Sequence, residues 1–248
     1  MKSLKVAKIN FENIMKSSII YYCIFVCVII FLISISTEGT TMSGLEISTV
    51  IFLFVCGLNS FKSNFYFAKS NGISRKTFIK GILISSIPIA LVMSIMDIII
   101  NRISSIFIKN ATFYDMTYWR YIGNAGEIYE NNWLQSNSIS TIFNTILFQF
   151  SFCLLAYVAG IVINMIYYRS NKYVKVLVSV TPVMLIIFNT TLPIRNPRLA
   201  MKLNEFLDYI FGFDPLNVFA CITTFLVITV ILSGIAFLLI RKAVIKER

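Results

Sequence analysis

Five residues carry polar groups into otherwise charge-free apolar stretches: Asp97 with Asn101, and Asn144, Gln149 and Asn164. An ionisable group inside a bilayer is a functional candidate by default. An intramembrane amide more often bridges helices than lines a path. Asp97 also sits close enough to the end of its stretch for solvent to reach it. These five are the candidates for a translocation path or for polar contacts between helices. The other concentration of chemistry is Asn71–Gly81, reading NGISRKTFIKG, where Ile73, Phe78 and Ile79 stand among Ser74, Arg75, Lys76 and Lys80. An exposed apolar tip with basic flanks fits a partner groove with acidic edges. A plain basic loop at a membrane surface has the same composition.

Much other chemistry is excluded. The chain has no histidine, which removes Ser–His and Cys–His nucleophile pairs and HExxH zinc sites. There is no P-loop, GxSxG or GxGxxG. The acids are scattered over loops, so neither a catalytic residue nor a metal site is expected. The five cysteines (Cys23, Cys27, Cys56, Cys153, Cys221) lie in apolar runs without a CxxC, and they read as small packing residues.

The elements that must position these residues are membrane helices. Of 248 residues, 57% are hydrophobic and 13% charged, against about 25% charged in a soluble domain. Charge-free stretches predict six spans, at about 17–36, 46–61 with a stalk to 70, 81–101, 142–168, 176–191 and 215–240. All belong to one transmembrane domain covering 1–248. The first span reads as a retained helix, because its apolar core is long for a signal peptide and no A-x-A site follows. Assigning loops to alternating sides places 16 basic and two acidic residues on the side of both termini, with six basic and nine acidic residues opposite. The net +11 therefore divides into about +14 and −3, which predicts cytoplasmic termini. It points to anionic lipid and an acidic partner rather than to nucleic acid.

Three further pieces are helical by pattern. Ser3–Lys16 suits a separate interface helix, with Leu4, Ala7, Phe11, Ile14 and Met15 at helical spacing. Pro197–Phe211 is an amphipathic external helix, with Asn196 as cap, Pro197 at its first position and Gly212 as stop. Asp214-Pro215 repeats the signal before the last span. The second span continues as a stalk whose Phe61, Phe65 and Ala68 share one face. It ends at the turn pair Asn71-Gly72, and Ser74 can cap the next helix. The loop at 109–140 holds Trp119 and Trp133 with Phe113, Tyr114, Tyr118, Tyr121 and Tyr129, and it is expected to fold onto the headgroups as an aromatic belt. Pro88 and Pro182 can kink their spans. Ala156-x-x-x-Gly160 permits a close helix approach.

Six spans, a basic N-terminal helix, a stalked second helix and the Asn71–Lys76 corner together resemble ABC-2-type ABC transporter permeases. The short six-span type of Gram-positive bacteria, including antimicrobial-peptide immunity and export permeases, is most similar. The resemblance implies an all-α integral membrane protein in a bacterial plasma membrane, working as an exporter. It implies no cofactor on this chain, with ATP and Mg held by a separate ABC ATPase subunit in two copies, and a second permease, the same or homologous. Asn71, Gly72, Ile73, Ser74, Arg75 and Lys76 would form the coupling helix that docks on the ATPase, with Phe78 added on the physical argument. An amphipathic, peptide or lipid-like substrate follows from spans so poor in charge. The competing readings are a secondary transporter, disfavoured by the scarcity of buried acids and of any inverted repeat, and a membrane protein without a transport role.

Overall fold

The computed structural model describes residues 2–36, 41–118, 135–213 and 216–241. Among them, six helices are long and apolar enough to cross a membrane. The chain runs α1 (Lys2–Ile35), β1 (Thr41–Ser43), α2 (Ile47–Asn59), α3 (Lys62–Ser70), α4 (Arg75–Ser104), β2 (Lys109–Ala111), α5 (Phe113–Tyr118), α6 (Ile139–Arg169), α7 (Lys172–Arg195), α8 (Pro197–Phe211) and α9 (Val218–Arg241). This is an all-α membrane architecture with one small addition, a parallel pairing of β1 with β2 that brings Met42 opposite Asn110.

The N-terminal piece is not a separate interface helix. Lys2–Ile35 is one helix of 34 residues, about 51 Å long at 1.5 Å per residue. No glycine or proline occurs in it, so nothing breaks it where the basic segment meets the apolar one. Its stripe of Val6, Ala7, Asn10, Ile14, Ser18, Tyr22 and Ile29 is buried. Partners on α4 lie 75 residues on, Asn10 meeting Ser85 and Tyr22 meeting Asp97, so the two helices run parallel.

The same relation recurs. α2 and α6 also run parallel: Glu46 lies beside Gln149 at one end, Gly57 beside Gly160 in the middle, and Phe61 beside Tyr168 at the other. Thus α1–β1–α2 pairs element by element with α4–β2–α6. This is a parallel internal pattern, not an inverted one. The bundle has two ends, one carrying the Asn71–Lys76 corner and the other the two strands.

At the α2–α6 crossing the backbones touch. A Cβ on Gly160 would meet the Phe54 carbonyl oxygen at 2.3 Å, and one on Gly57 would meet the Tyr157 carbonyl oxygen at 2.2 Å. In lipid, such close approach replaces the hydrophobic drive that holds soluble helices together. The predicted small-residue pair is thus used through Gly160, with Gly57 as its partner.

The stalk is not free. The helix breaks at Ser60–Phe61, and the Phe61, Phe65 and Ala68 face is buried against α4 and α6. α7 is the opposite case, a long helix with only Leu192 buried. α8 keeps its predicted bounds and stops at Gly212 in the left-handed region, where the Phe213 N–H reaches the Asp208 carbonyl at 2.9 Å. Asn196 makes no side-chain cap; its carbonyl accepts from the Ala200 N–H at 3.0 Å instead. Asp214-Pro215 lies outside the described residues.

Replacing Gly160 with alanine should lower stability by about 1–3 kcal/mol, because every atom a Cβ would meet belongs to backbone. Gly234→Ala on α9, where a Cβ meets nothing within 4 Å, should leave the melting temperature of the purified protein nearly unchanged. Equal effects of the two would refute the close crossing.

Candidate functional site

Two places bring the polar candidates together, one at each end of the bundle. The corner is built by local backbone rules. α3 ends in a left-handed Gly72 (φ 68°); the Ile73 N–H returns to the Ala68 carbonyl at 2.9 Å and the Gly72 N–H to that of Lys69 at 3.1 Å. These two bonds are the Schellman arrangement. Ser74 then caps α4 by accepting from the Thr77 N–H at 3.2 Å, as its position predicts. Asn71, Gly72, Ser74 and Lys76 are exposed, and Ile73 and Arg75 half-buried. An Arg75 Nη donates to the Arg241 carbonyl at the last turn of α9, 3.2 Å away, where a cation also meets the negative end of the helix dipole.

Phe78 is not part of an exposed tip. It is 1% exposed and Ile79 is fully buried. Phe78 packs on Phe65 and Phe61 at ring distances of 5.5 and 6.0 Å, and Phe61 meets Tyr168 at 5.5 Å. The fourth residue of a capped helix points back across its first turn, and here that direction is the core. Phe78 anchors the corner rather than presenting it.

The second place is built around Asp97, which is 2% exposed. Its carboxylate accepts from the Tyr22 hydroxyl on α1, the Thr49 hydroxyl on α2 and Gln149 Nε2 on α6, each at 2.8 Å. Thr49 in turn lies 3.0 Å from the Tyr21 hydroxyl. Gln149 also reaches the Glu46 carbonyl at 3.3 Å. The sequence left Asp97 between solvation and burial; the structure buries it among four helices. Toward the strands, Asn101 donates to the Asn110 carbonyl at 3.2 Å and accepts from Gln135 at 3.0 Å. Asp115 and Thr112 cap α5 reciprocally, each backbone N–H bonding the other's side chain at 3.0–3.1 Å.

Of the other predicted amides, Asn164 on α6 donates to the Leu58 carbonyl on α2. Asn144 interacts with the Tyr114 hydroxyl. Both bridge elements. The predicted aromatic belt is partly a packing cluster: Tyr114 and Tyr118 are buried, Tyr118 stands 5.6 Å from Phe148, and its hydroxyl donates to the Phe211 carbonyl at 2.6 Å. Trp119, Tyr121, Tyr129 and Trp133 lie outside the described residues. All five cysteines are free, Cys23 and Cys27 on the exposed side of α1.

Sequence reasoning missed three contributors. Asn10 donates to Ser85 at 2.7 Å and to the Tyr157 hydroxyl at 2.8 Å, which passes on to Ser60 at 3.0 Å. This is a second polar layer on the corner side. A lone asparagine on the apolar stripe of α1 was its only signal. Glu46, 4% exposed, and Arg102 were hidden because both stand at span ends, where charge is ordinary. Burial, with Asp97 and Asp115 adding to it, pushes the Glu46 carboxyl up to about 8. The residues described contain no cluster of three or more acids, cysteines or histidines placed to hold a metal.

No protein-family model matches the chain, and no curated protein or solved structure is significantly similar to it.

Asp97→Ala should cost about 3 kcal/mol or more, since three buried donors lose their charged acceptor at once and only the longer bonds of Tyr22 to the Met93 carbonyl and Gln149 to the Glu46 carbonyl remain. Asp97→Asn, which keeps one acceptor oxygen, should cost less. Chemical or thermal unfolding in lipid nanodiscs reads both, and equal losses would show that the hydrogen bonds are not what Asp97 contributes.

Proposed function

We propose that this chain is the membrane-spanning permease subunit of an ATP-driven transporter of the ABC-2 type, exporting an amphipathic, peptide or lipid-like substrate. The observation that carries the reading is the corner. It is a rigid, basic turn projecting from the joint of α3 and α4, with its polar tip exposed and its aromatic root locked in the core. A docking element must be stiff to transmit movement, and this one has a Schellman turn, a serine cap and a buried phenylalanine within eight residues. In this reading the corner end faces the cytoplasm of a bacterial cell, both termini with it, and the basic excess on that side supports the orientation. ATP and Mg belong to the two partner ATPases; this chain holds neither.

Other features support the same reading. α7 has a nearly unburied apolar surface, suited to lipid or to a second permease. Its Thr181 and Thr191 hydroxyls bond back to their own helix, at 2.8 Å to the Leu177 and Ile187 carbonyls, so they need no water. Between α1 and α4 runs an apolar groove of ≈ 820 Å³, lined among others by Ile19, Cys23, Val26, Met96 and Ile99. An acyl chain or apolar peptide face is the kind of ligand such a lining accepts. α8 would lie along the outer leaflet with Arg198 and Lys202 toward the headgroups.

An ion-coupled secondary transporter is the second reading. It is favoured by one observation, the burial of Glu46, Asp97 and Asp115 in one region. The internal pattern does not separate the two readings, since secondary transporters are built from parallel as well as inverted repeats.

Asn71→Glu combined with Lys76→Glu reverses the charge of the exposed tip without touching the buried root. It should abolish co-purification of the ATPase while lowering the melting temperature of the permease only slightly, through loss of the exposed bond from Asn71 to the Phe67 carbonyl. The same exchange at Lys62 and Lys69, exposed on α3 but off the tip, should leave co-purification intact. An ATPase that still co-purifies with the tip variant at normal stoichiometry refutes the docking role.

A further inference from the structure

Glu46 closes the strand end of the bundle with unspent hydrogen-bonding capacity. Both its carboxylate oxygens are buried and unpartnered among the described residues, and so is Asn110 Oδ1. The backbone N–H groups of Glu46 and Phe113 approach the carboxylate and favour its charged form, but fall short of hydrogen-bond geometry. Glu46, Asp97, Asn101 and Asn110 line a small pocket of ≈ 10 Å³, closed on the α1 side by Phe25 and Ile29. That is room for one water-sized occupant. The amide nitrogens around it are committed elsewhere: Asn101 Nδ2 to the Asn110 carbonyl, Asn110 Nδ2 to Ser104 at 2.8 Å, and Gln149 Nε2 to Asp97. The unpartnered atoms of the pocket are therefore acceptors.

The charge balance points the same way. Among the described residues, three buried carboxylates (Glu46, Asp97 and Asp115, at 4%, 2% and 1% exposure) share this region with one guanidinium, Arg102, while Lys109 stands half-buried on the neighbouring β2. Among the described residues, the charged groups around Glu46 are Asp97 and Arg102 from α4 and Asp115 from α5; α1 and α6 contribute Phe25, Ile29 and the neutral Gln149, and β2 contributes Asn110 and carries Lys109 beside it. Arg102 lies within electrostatic range of Glu46 and Asp115, yet its three guanidinium nitrogens are buried without a hydrogen-bond partner among the described residues. Excess negative charge buried this way must be neutralised.

We propose that the pocket beside Glu46 binds one small monovalent cation, either a proton carried by Glu46 or a sodium ion held by the same oxygens, with Arg102 as the alternative partner of Glu46 when the site is empty. The oxygens are unpaired, the volume admits one ion-sized guest, and the surrounding charge is negative. A guest that brings only positive charge satisfies all three conditions. The guanidinium lies within electrostatic range of Glu46 and is free of hydrogen bonds among the described residues, so it can compensate Glu46 when the guest leaves. Occupancy therefore decides whether the strand end is held by the guest or by an ion pair.

The test uses the purified full chain without any ATPase, so its outcome is independent of the docking reading. Melting temperature is measured from about pH 5 to about pH 9 in choline chloride, then with sodium chloride in its place, for the wild type and Glu46→Gln. A carboxyl whose native pKa is raised holds its proton while the unfolded chain releases it. Stability therefore falls as pH rises from the ordinary carboxylate value to about 8, and is level above. With a proton as guest, the wild type shows this fall, Glu46→Gln loses one proton's share of it, and sodium changes nothing. With sodium as guest, replacing choline raises the wild-type melting temperature near about pH 9, and Glu46→Gln does not respond. A variant that follows the wild-type pH profile, with neither protein responding to sodium, overturns the proposal. Should Glu46→Gln not fold, infrared spectra of wild type bearing isotope-labelled glutamate carry the test in choline chloride. A glutamate carboxyl still protonated near neutral pH supports the proton as guest, a glutamate carboxylate band that shifts when sodium replaces choline supports sodium, and the absence of both signals overturns the proposal.

Discussion

A carboxylate buried among apolar helices must be fully hydrogen-bonded, and the rest of this bundle is arranged around meeting that demand at Asp97. One donor comes from each of α1, α2 and α6, all at 2.8 Å. Asp97 is buried from solvent, so none of the three helices can slide or rotate without stranding a polar group. The position of Asp97 on α4 thereby sets the axial register of its neighbours. The second polar layer repeats the constraint. Ser85, where Asn10 docks, lies twelve residues before Asp97 on α4, about 18 Å along the axis. Ile89, Ala90 and Met93, fully buried, fill the interval. Two polar layers with an apolar block between them fix register where apolar packing alone would tolerate slippage.

The parallel pairing of α1–β1–α2 with α4–β2–α6 follows from this. Equal offsets between α1 and α4 in both layers require the helices to stay side by side over most of their length. Their continuations then emerge together, which lets the short strands pair and lets α2 and α6 descend together. The descent is tight only because Gly57 and Gly160 coincide at the crossing. An alanine on either helix would push apart the elements that carry Thr49 and Gln149 to Asp97.

Spans, the corner turn and the external helix were legible in the sequence because each is a local signal: a charge-free run, an Asn-Gly pair, a proline at a helix start. The bounds of α8 and the cap at Ser74 follow from such signals directly. Features set by tertiary contact were not legible. Phe78 looks like a tip residue beside Arg75 and Lys76, and only the presence of Phe61 and Phe65 on a returning helix makes it a core residue. Residues 3–16 look like an interface helix because amphipathicity does not say whether the apolar stripe meets lipid or another helix; here it meets α4. Of the predicted polar candidates, Asp97, Asn101 and Gln149 converge. Glu46, their neighbour, was invisible because a charge at a span end is unremarkable until β1, β2 and α5 close over it.

Unequal attachment of the helices has a mechanical consequence. α1, α2, α4 and α6 are tied by two polar layers, the glycine crossing and the aromatic root of the corner, so a push delivered at Asn71–Lys76 moves them as one body. α9 joins this body at both ends, through Arg75 at the corner and through Phe225, 5.2 Å from Phe152, toward the strands. Among the described residues, α7 has no comparable tie. Its contact with the block near the corner end is the Tyr167–Ser179 hydrogen bond, and its far end continues into α8. Relative motion between bodies occurs where few polar bonds must be broken. α8 is itself tied to the block, through the Tyr118 hydroxyl on the Phe211 carbonyl and the Thr224 hydroxyl on the Ile210 carbonyl. The compliant element of this fold is therefore α7, and in the proposed permease a path opened by movement at the corner would form along α7 rather than through the four-helix block.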